Sequence, residues 1–235
     1  MNAEFNQLMA DLQKKWEKNE QERAEEASRK QAEWDALPEE EKKLIISERE
    51  QKRREWEKRQ AEQEWEKQIQ VWRGRGITPR YYDSAWENFK VETPEQKSAL
   101  EKVKQAWGKN LFIIGGNGTG KTHLAMCLAK DGATYCLMPE LFRTVRENLD
   151  IEQQTINKYG TCKLLLLDEA GRQKGTEFEK NLLFEIIDKR WNYMLPTTII
   201  GNIDKREFAN LYGSAIVDRL RPESVVFNWQ SKRRI

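Results

Sequence analysis

Histidine and cysteine are scarce in this chain, with one His and three Cys among 235 residues. Cys127, Cys136 and Cys162 form no C-x-x-C pair. An odd count without a secretory leader predicts reduced thiols and a cytoplasmic protein. No histidine–cysteine metal centre is expected around the single histidine, His123, since one His with a few Cys falls short of the usual ligand clusters. No apolar run approaches the roughly 20 residues that a membrane span requires, and the polar N-terminus does not read as a signal peptide. The expectation is therefore a soluble intracellular chain with no membrane partner. Charge of one sign is not in excess either: 41 basic against 39 acidic residues leave a net of +2, which argues neither for nor against nucleic acid.

What is present divides unevenly. Residues 1–70 hold 15 Lys/Arg against 19 Asp/Glu, a net of −4, with one proline and no glycine. The remainder holds 26 basic and 20 acidic residues, a net of +6, together with all 13 glycines, and is long enough to bury a core of its own. The first part predicts an all-α charged arm over residues 1–72. Phe5, Leu8, Met9, Leu12 and Trp16 fall at helical spacing and form one apolar stripe. Leu37-Pro38-Glu39-Glu40-Glu41 predicts a break and restart, with proline at the first helical position and acids in the first turn. The second helix should run to about Trp72. No heptad is sustained, so a long coiled coil is not supported. Trp16, Trp34, Trp56 and Trp65 punctuate these charged helices, as aromatic anchors do in partner-binding helices. Phe5, Leu8, Leu12 and Trp16 are the candidate docking stripe; the alternative is a solvated hairpin that packs its apolar residues on itself or on the core. Residues 73–76, Arg-Gly-Arg-Gly, read as a hinge, and residues 77–235 as the second domain.

Residues 115–122 spell GGNGTGKT, the pattern of a phosphate-binding loop. The apolar run at 111–114 leads in as a buried strand, and residues 121–130 lead out with helical spacing, which is the context such a loop needs. The backbone N–H groups of Gly115, Gly116, Asn117, Gly118, Thr119 and Gly120 can cradle phosphate, aided by the helix N-terminus that begins at Lys121-Thr122-His123. Lys121 should reach the β- and γ-phosphates of ATP, and Thr122 should offer its hydroxyl to Mg²⁺. Residues 163–169, KLLLLDE, predict a strand buried on both faces of a parallel sheet. Asp168 then emerges at the carboxyl edge to hold Mg²⁺, and Glu169 follows where it can deprotonate a water; the alternative is a pair of surface acids. Further elements are predicted as helices over 97–107, 141–149, 151–159, 178–191 and 204–211, and strands over 133–138 and 196–202. Asn202 either positions the lytic water from the sheet edge or caps the helix that starts at Asp204.

Five stretches carry a family resemblance: GITPRYYDSAWENF, GGNGTGKTHLA, LLLLDEAG, TTIIGN and IVDRLRPESVVFNWQS. From about Arg75 onward the chain resembles the AAA+ ATPases of the DnaC-type helicase-loader family, which includes the IstB-like transposition helpers. The resemblance implies an α/β AAA+ P-loop core, a parallel sheet flanked by helices, with ATP and Mg²⁺ as ligands. It implies a replicative hexameric helicase and single-stranded DNA as partners, and self-association through neighbouring AAA+ domains. It implies an arginine finger acting in trans, carried over to Arg219 with Arg221 as second candidate. Members often carry Gly-Glu-Arg where this chain has Gly213-Ser214-Ala215, so hydrolysis would be weak or would rely on Arg219 alone. With few residues after Trp229, no C-terminal lid domain is expected. Within the basic helix, Phe142, Arg143 and Arg146 are candidates for base stacking and phosphate contact, against the alternative of an ordinary surface helix; Lys232-Arg233-Arg234 could also touch phosphate. The expected function is an ATPase that loads a helicase and releases it with the ATP state. The alternatives are a transposition helper and an adaptor that uses ATP only structurally.

Overall fold

The computed structural model describes residues 2–231, with the side chains of residues 2–8 and 10–12 outside the described set. The candidate docking residues Phe5, Leu8 and Leu12 therefore lie outside the described side chains, and Lys232–Arg234 outside the described residues. The chain forms two compact units, Met1–Glu66 and Lys67–Ile235.

The first unit is built from helix α1 (Asn2–Asp35) and most of α2 (Glu39–Gly74). The break falls where Pro38 and its following acids predict it, at residues 36–38. Alanine, glutamate, lysine, arginine and glutamine dominate both helices, residues that lose little side-chain freedom in a helix. At the turn, Lys42 Nζ donates to the Asp35 carbonyl at 3.2 Å, and the Arg49 guanidinium lies 5.3 Å from the Trp34 ring centroid. Trp34 thus serves the hairpin itself, while Trp16 and Trp56 are each 61% exposed.

The second unit holds a five-stranded parallel sheet in the order β2-β3-β4-β1-β5. Its strands are β1 (Leu111–Gly115), β2 (Thr134–Leu137), β3 (Leu165–Ala170), β4 (Thr197–Gly201) and β5 (Glu223–Phe227). Helices cover both faces, which is why the strands read as unbroken apolar runs. Leu111, Ile113, Leu166 and Ile200 face a layer with α3 (Pro94–Lys104) and α4 (Lys121–Lys130). Phe112, Leu165, Leu167 and Ile199 face the layer of α5 (Met138–Glu147), α6 (Glu152–Thr161), α7 (Glu177–Asn192), α8 (Lys205–Tyr212) and α9 (Ser214–Leu220). Arg190 on α7 is fully buried and joins three elements: Nε donates to Thr197 Oγ1 at 2.7 Å, Nη1 to the Tyr159 and Cys162 carbonyls at 2.7 and 2.8 Å, and Nη2 to the Pro196 carbonyl at 2.5 Å. No described helix is long and apolar enough to cross a membrane.

Two expectations need correction. Residues 73–76 do not behave as a hinge. Arg75 Nη1 donates to the Ala129 and Lys130 carbonyls at 3.3 and 2.7 Å, capping the last turn of α4 where the helix dipole favours a cation. The Arg75 carbonyl accepts the Tyr135 N–H at 2.8 Å, and Gly76 (φ +86°) lies so close to β2 that a Cβ there would sit 2.2 Å from the Tyr135 carbonyl oxygen. Trp72 is buried, with Lys130 Nζ 4.4 Å from its ring centroid. The last turns of α2 accordingly belong to the second unit, and the division falls at Glu66/Lys67. The second correction concerns Phe142. It is buried and stacks on Tyr212 at 6.1 Å, so its ring packs the core and is not presented to a base. Arg143 is exposed; Arg146 pairs with Glu179 at 3.0 Å and lies over Phe178 at 5.5 Å.

Candidate active site

The carboxyl edge of the sheet opens into a cleft of about 1160 Å³, lined among others by residues 117–123, Asp168, Glu169, Asn202 and Trp229. The phosphate-loop pattern folds as its glycines dictate. Gly118 and Gly120 take φ of 78° and 102°, a region that favours glycine. Gly115 pairs with Phe227 across β1 and β5, and a Cβ there would meet Phe227 at 2.6 Å. Gly120 caps α4 without a side-chain acceptor, so the first-turn N–H groups are left for an anion. The loop rests on aromatic rings: Phe89 would meet a Cβ on Gly120 at 2.7 Å, and Trp229 Nε1 donates to the Thr119 carbonyl at 3.0 Å.

Lys121 is buried with Nζ donating to the Gly115 and Gly116 carbonyls at 2.5 and 2.7 Å and to Asn202 Oδ1 at 3.0 Å. Asn202 Nδ2 in turn donates to Asn117 Oδ1 at 3.0 Å. Of the two readings of Asn202, the geometry excludes the helix cap. The cap of α8 is Asp204, whose side chain accepts the Glu207 N–H while Glu207 reaches back to the Asp204 N–H.

Thr122 Oγ1 donates to Asp168 Oδ2 at 2.8 Å, and Asp168 is buried. Its Oδ2 also accepts the Tyr135 hydroxyl at 3.0 Å. Burial and the neighbouring Asp168 carboxylate push the Tyr135 phenol far above its ordinary value, so it remains a donor. Glu169 has φ 60°, costly for a glutamate by about 1–3 kcal/mol, and the β3–β4 register shifts between Leu167 and Ala170. Successive strand residues ordinarily face opposite sides. The bulge and the left-handed turn bring both acids to one cleft, with the Glu169 N–H donating to Asp168 Oδ1 at 2.7 Å and the Glu169 carboxylate 3.5 Å from Arg172. His123 lines the cleft, but its Nε2 lies 3.0 Å from the Ala85 carbonyl and its ring stacks on Phe89 at 6.4 Å; it fastens the segment ahead of the core to the loop.

A magnesium ion ordinarily keeps several waters and takes one or two protein oxygens plus phosphates. Thr122 and Asp168, converging beside the loop, fit that donor set. Arg219 does not line the cleft. It sits on α9 with Nε donating to Asp188 Oδ1 at 2.7 Å and its guanidinium 4.3 Å from the Phe184 ring centroid. Arg221 is exposed at φ 40° and donates to the Asp218 carbonyl at 3.3 Å. Tyr135, Phe89 and Trp229 were not singled out by the motifs as site residues. Phe89 and Trp229 lie inside the stretches that carry the resemblance, whereas Tyr135 had no signal beyond its place in a strand.

A family model of IstB-like ATP-binding proteins matches residues 95–231. Among curated proteins, the replicative helicase loader DnaC of Escherichia coli (strain K12) is 32% identical over 177 residues, covering 67% of this chain and 72% of that protein. Among solved structures, the DnaC helicase loader superposes with a TM-score of 0.55 at 21% identity, covering 63% of this chain and 99% of that one. The replication initiator DnaA bound to AMPPCP and single-stranded DNA gives a TM-score of 0.57 at 21% identity, covering 66% of this chain and 51% of that one. At those identities the two structures speak for the fold.

Proposed function

The chain belongs to the DnaC/IstB-like family of AAA+ ATP-binding proteins, and from that premise we propose that it is an ATPase that loads a replicative hexameric helicase onto single-stranded DNA in the cytoplasm. The observation that carries the catalytic part is the convergence of Lys121, Thr122, Asp168, Glu169 and Asn202 on one sheet edge. Lys121 is held for the β- and γ-phosphates by loop carbonyls and Asn202, groups it exchanges for phosphate oxygens when ATP enters. Thr122 and Asp168 would hold Mg²⁺, which supplies charge neutralisation at the transferring phosphate. Glu169 is the general base for water at the γ-phosphate, with Asn202 orienting that water. Arg219 acts in trans at a neighbouring subunit's cleft, which accords with its position outside its own. Hydrolysis is then a switch that relaxes a subunit contact when the γ-phosphate leaves.

The helicase is engaged by the helical arm through its exposed tryptophans, and single-stranded DNA by Arg143 and Arg146. The match to IstB-like proteins supports a second reading, a transposition helper that binds duplex DNA and a transposase. An adaptor that binds ATP without turning it over is separated from both by kinetics. Lys121→Ala should lower ATP affinity by about hundredfold through loss of a charged hydrogen-bond donor, as read by calorimetry. Glu169→Gln should bind ATP normally yet lose turnover stimulated by helicase or DNA. Equal turnover in Glu169→Gln and wild type would remove catalysis from the function.

A further inference from the structure

Asp168 is held by three donors, and they come from three parts of the chain. The Glu169 N–H occupies Oδ1 at 2.7 Å, while the Thr122 hydroxyl and the Tyr135 hydroxyl share Oδ2 at 2.8 and 3.0 Å. Thr122 and Glu169 belong to the phosphate loop and the acidic strand end. Tyr135 belongs to neither. It sits on β2 beside β3, with its Cα paired to Leu166, and its ring lies in the apolar layer that also holds Leu124 and Leu128 of α4.

The backbone of Tyr135 is fixed as firmly as its hydroxyl. Its N–H donates to the Arg75 carbonyl at 2.8 Å, and Gly76 approaches its carbonyl so closely that a side chain there would collide at 2.2 Å. Strand pairing, this backbone clamp and the apolar packing place the phenol oxygen where Asp168 needs a donor. Groups that hold a metal-binding side chain from behind set its orientation, and their loss ordinarily costs about 10–100-fold in metal affinity.

We propose that Tyr135 is a positioning residue for the metal-holding carboxylate, setting the Mg²⁺ requirement of nucleotide binding through its hydrogen bond to Asp168. The inference rests on the reading of Asp168 as the acid that holds Mg²⁺. When Thr122 turns an oxygen lone pair toward the ion, the constraint on Asp168 from β2 persists unchanged. The hydroxyl of Tyr135 thereby keeps one carboxylate orientation in both the empty and the loaded cleft.

The test is calorimetric binding of ATP to the full chain across a range of Mg²⁺ concentrations and in EDTA. Wild type, Tyr135→Phe, Tyr135→Met and Asp168→Asn are compared. Tyr135→Phe and Tyr135→Met should match wild type in EDTA yet need about tenfold more Mg²⁺ for half of the Mg²⁺-dependent gain in affinity. Asp168→Asn should lose that gain. An unshifted Mg²⁺ midpoint in both tyrosine variants, with the gain lost in Asp168→Asn, overturns the role of Tyr135 and leaves the site intact. An equal loss of affinity with and without Mg²⁺ marks a packing defect and overturns it too. A gain retained in Asp168→Asn overturns the assignment of Asp168 and the inference with it.

Discussion

In residues 1–66, ion pairs such as Lys18–Glu22, Arg53–Glu57 and Lys58–Glu62 join side chains one helical turn apart, and both partners of each are more than half exposed. In residues 67–235, Arg219 pairs with Asp188 and Arg146 with Glu179 across more than 30 positions of sequence, and Arg190 is fully buried among the carbonyls of two other segments. The same residue types thus do two jobs. Pairs along one exposed helix are screened by water and fix no tertiary relation. Pairs between elements hold a helix at a definite place on the sheet, and their removal strands polar groups away from water. The first unit uses its charges to remain helical while Trp16 and Trp56 stay at the surface. The second uses them to hold helices to one another and to the sheet.

The sharpest way to break that contrast is through Arg219. If its pairing with Asp188 holds it for use in trans, Arg219→Ala spares ATP binding but removes about a thousandfold of partner-stimulated turnover. Asp188→Asn should weaken the same turnover by less, because the guanidinium remains. Loss in Arg221→Ala alone would transfer the role to that residue. Next in size is Arg190→Leu, which leaves buried carbonyls unpaired and should lower unfolding stability by about 3 kcal/mol or more; a denaturant midpoint unchanged from wild type would show that the buried guanidinium does not hold α7 to β4. The smallest effect belongs to the first unit. Lys58→Ala should leave both helicity by circular dichroism and the denaturation midpoint of the second unit where they were, and a marked loss would mean the exposed pairs carry more than screening allows.

The second unit was largely legible because its signals are local. The glycine loop, the four-leucine strand with its acids and the strand before Asn202 each state their own structure, and the sheet edge then collects them. The helix break at Pro38 was legible for the same reason. What escaped was set by approach between distant segments. Tyr135 gains its place from a strand neighbour and from Gly76, neither of which a motif encodes. The supposed hinge at 73–76 has the composition of a flexible link, yet Arg75 finds the end of α4 and Gly76 finds β2. Phe142 read as a base-stacking ring on a basic helix, but the apolar face of that helix, with Leu141 and Val145, is buried, and the ring goes with it. Helix α9 and strand β5 were not resolved as elements, because Pro222 and the mixed sequence around it obscure both periodicities. The bulge that aims Glu169 into the cleft could not be seen from a run of leucines.

The central claim is that residues 1–66 dock the chain on a helicase while residues 67–235 bind ATP independently. Size-exclusion chromatography with light scattering of the protein mixed with its source's replicative hexameric helicase tests this most directly, using the full chain and a chain beginning at Lys67, which retains the buried Trp72. The account predicts a stable complex with the full chain, and no complex but unimpaired ATP binding with the shorter one. A complex that survives the truncation would place docking on residues 67–235 and contradict the account, and the absence of any complex would favour the transposition helper.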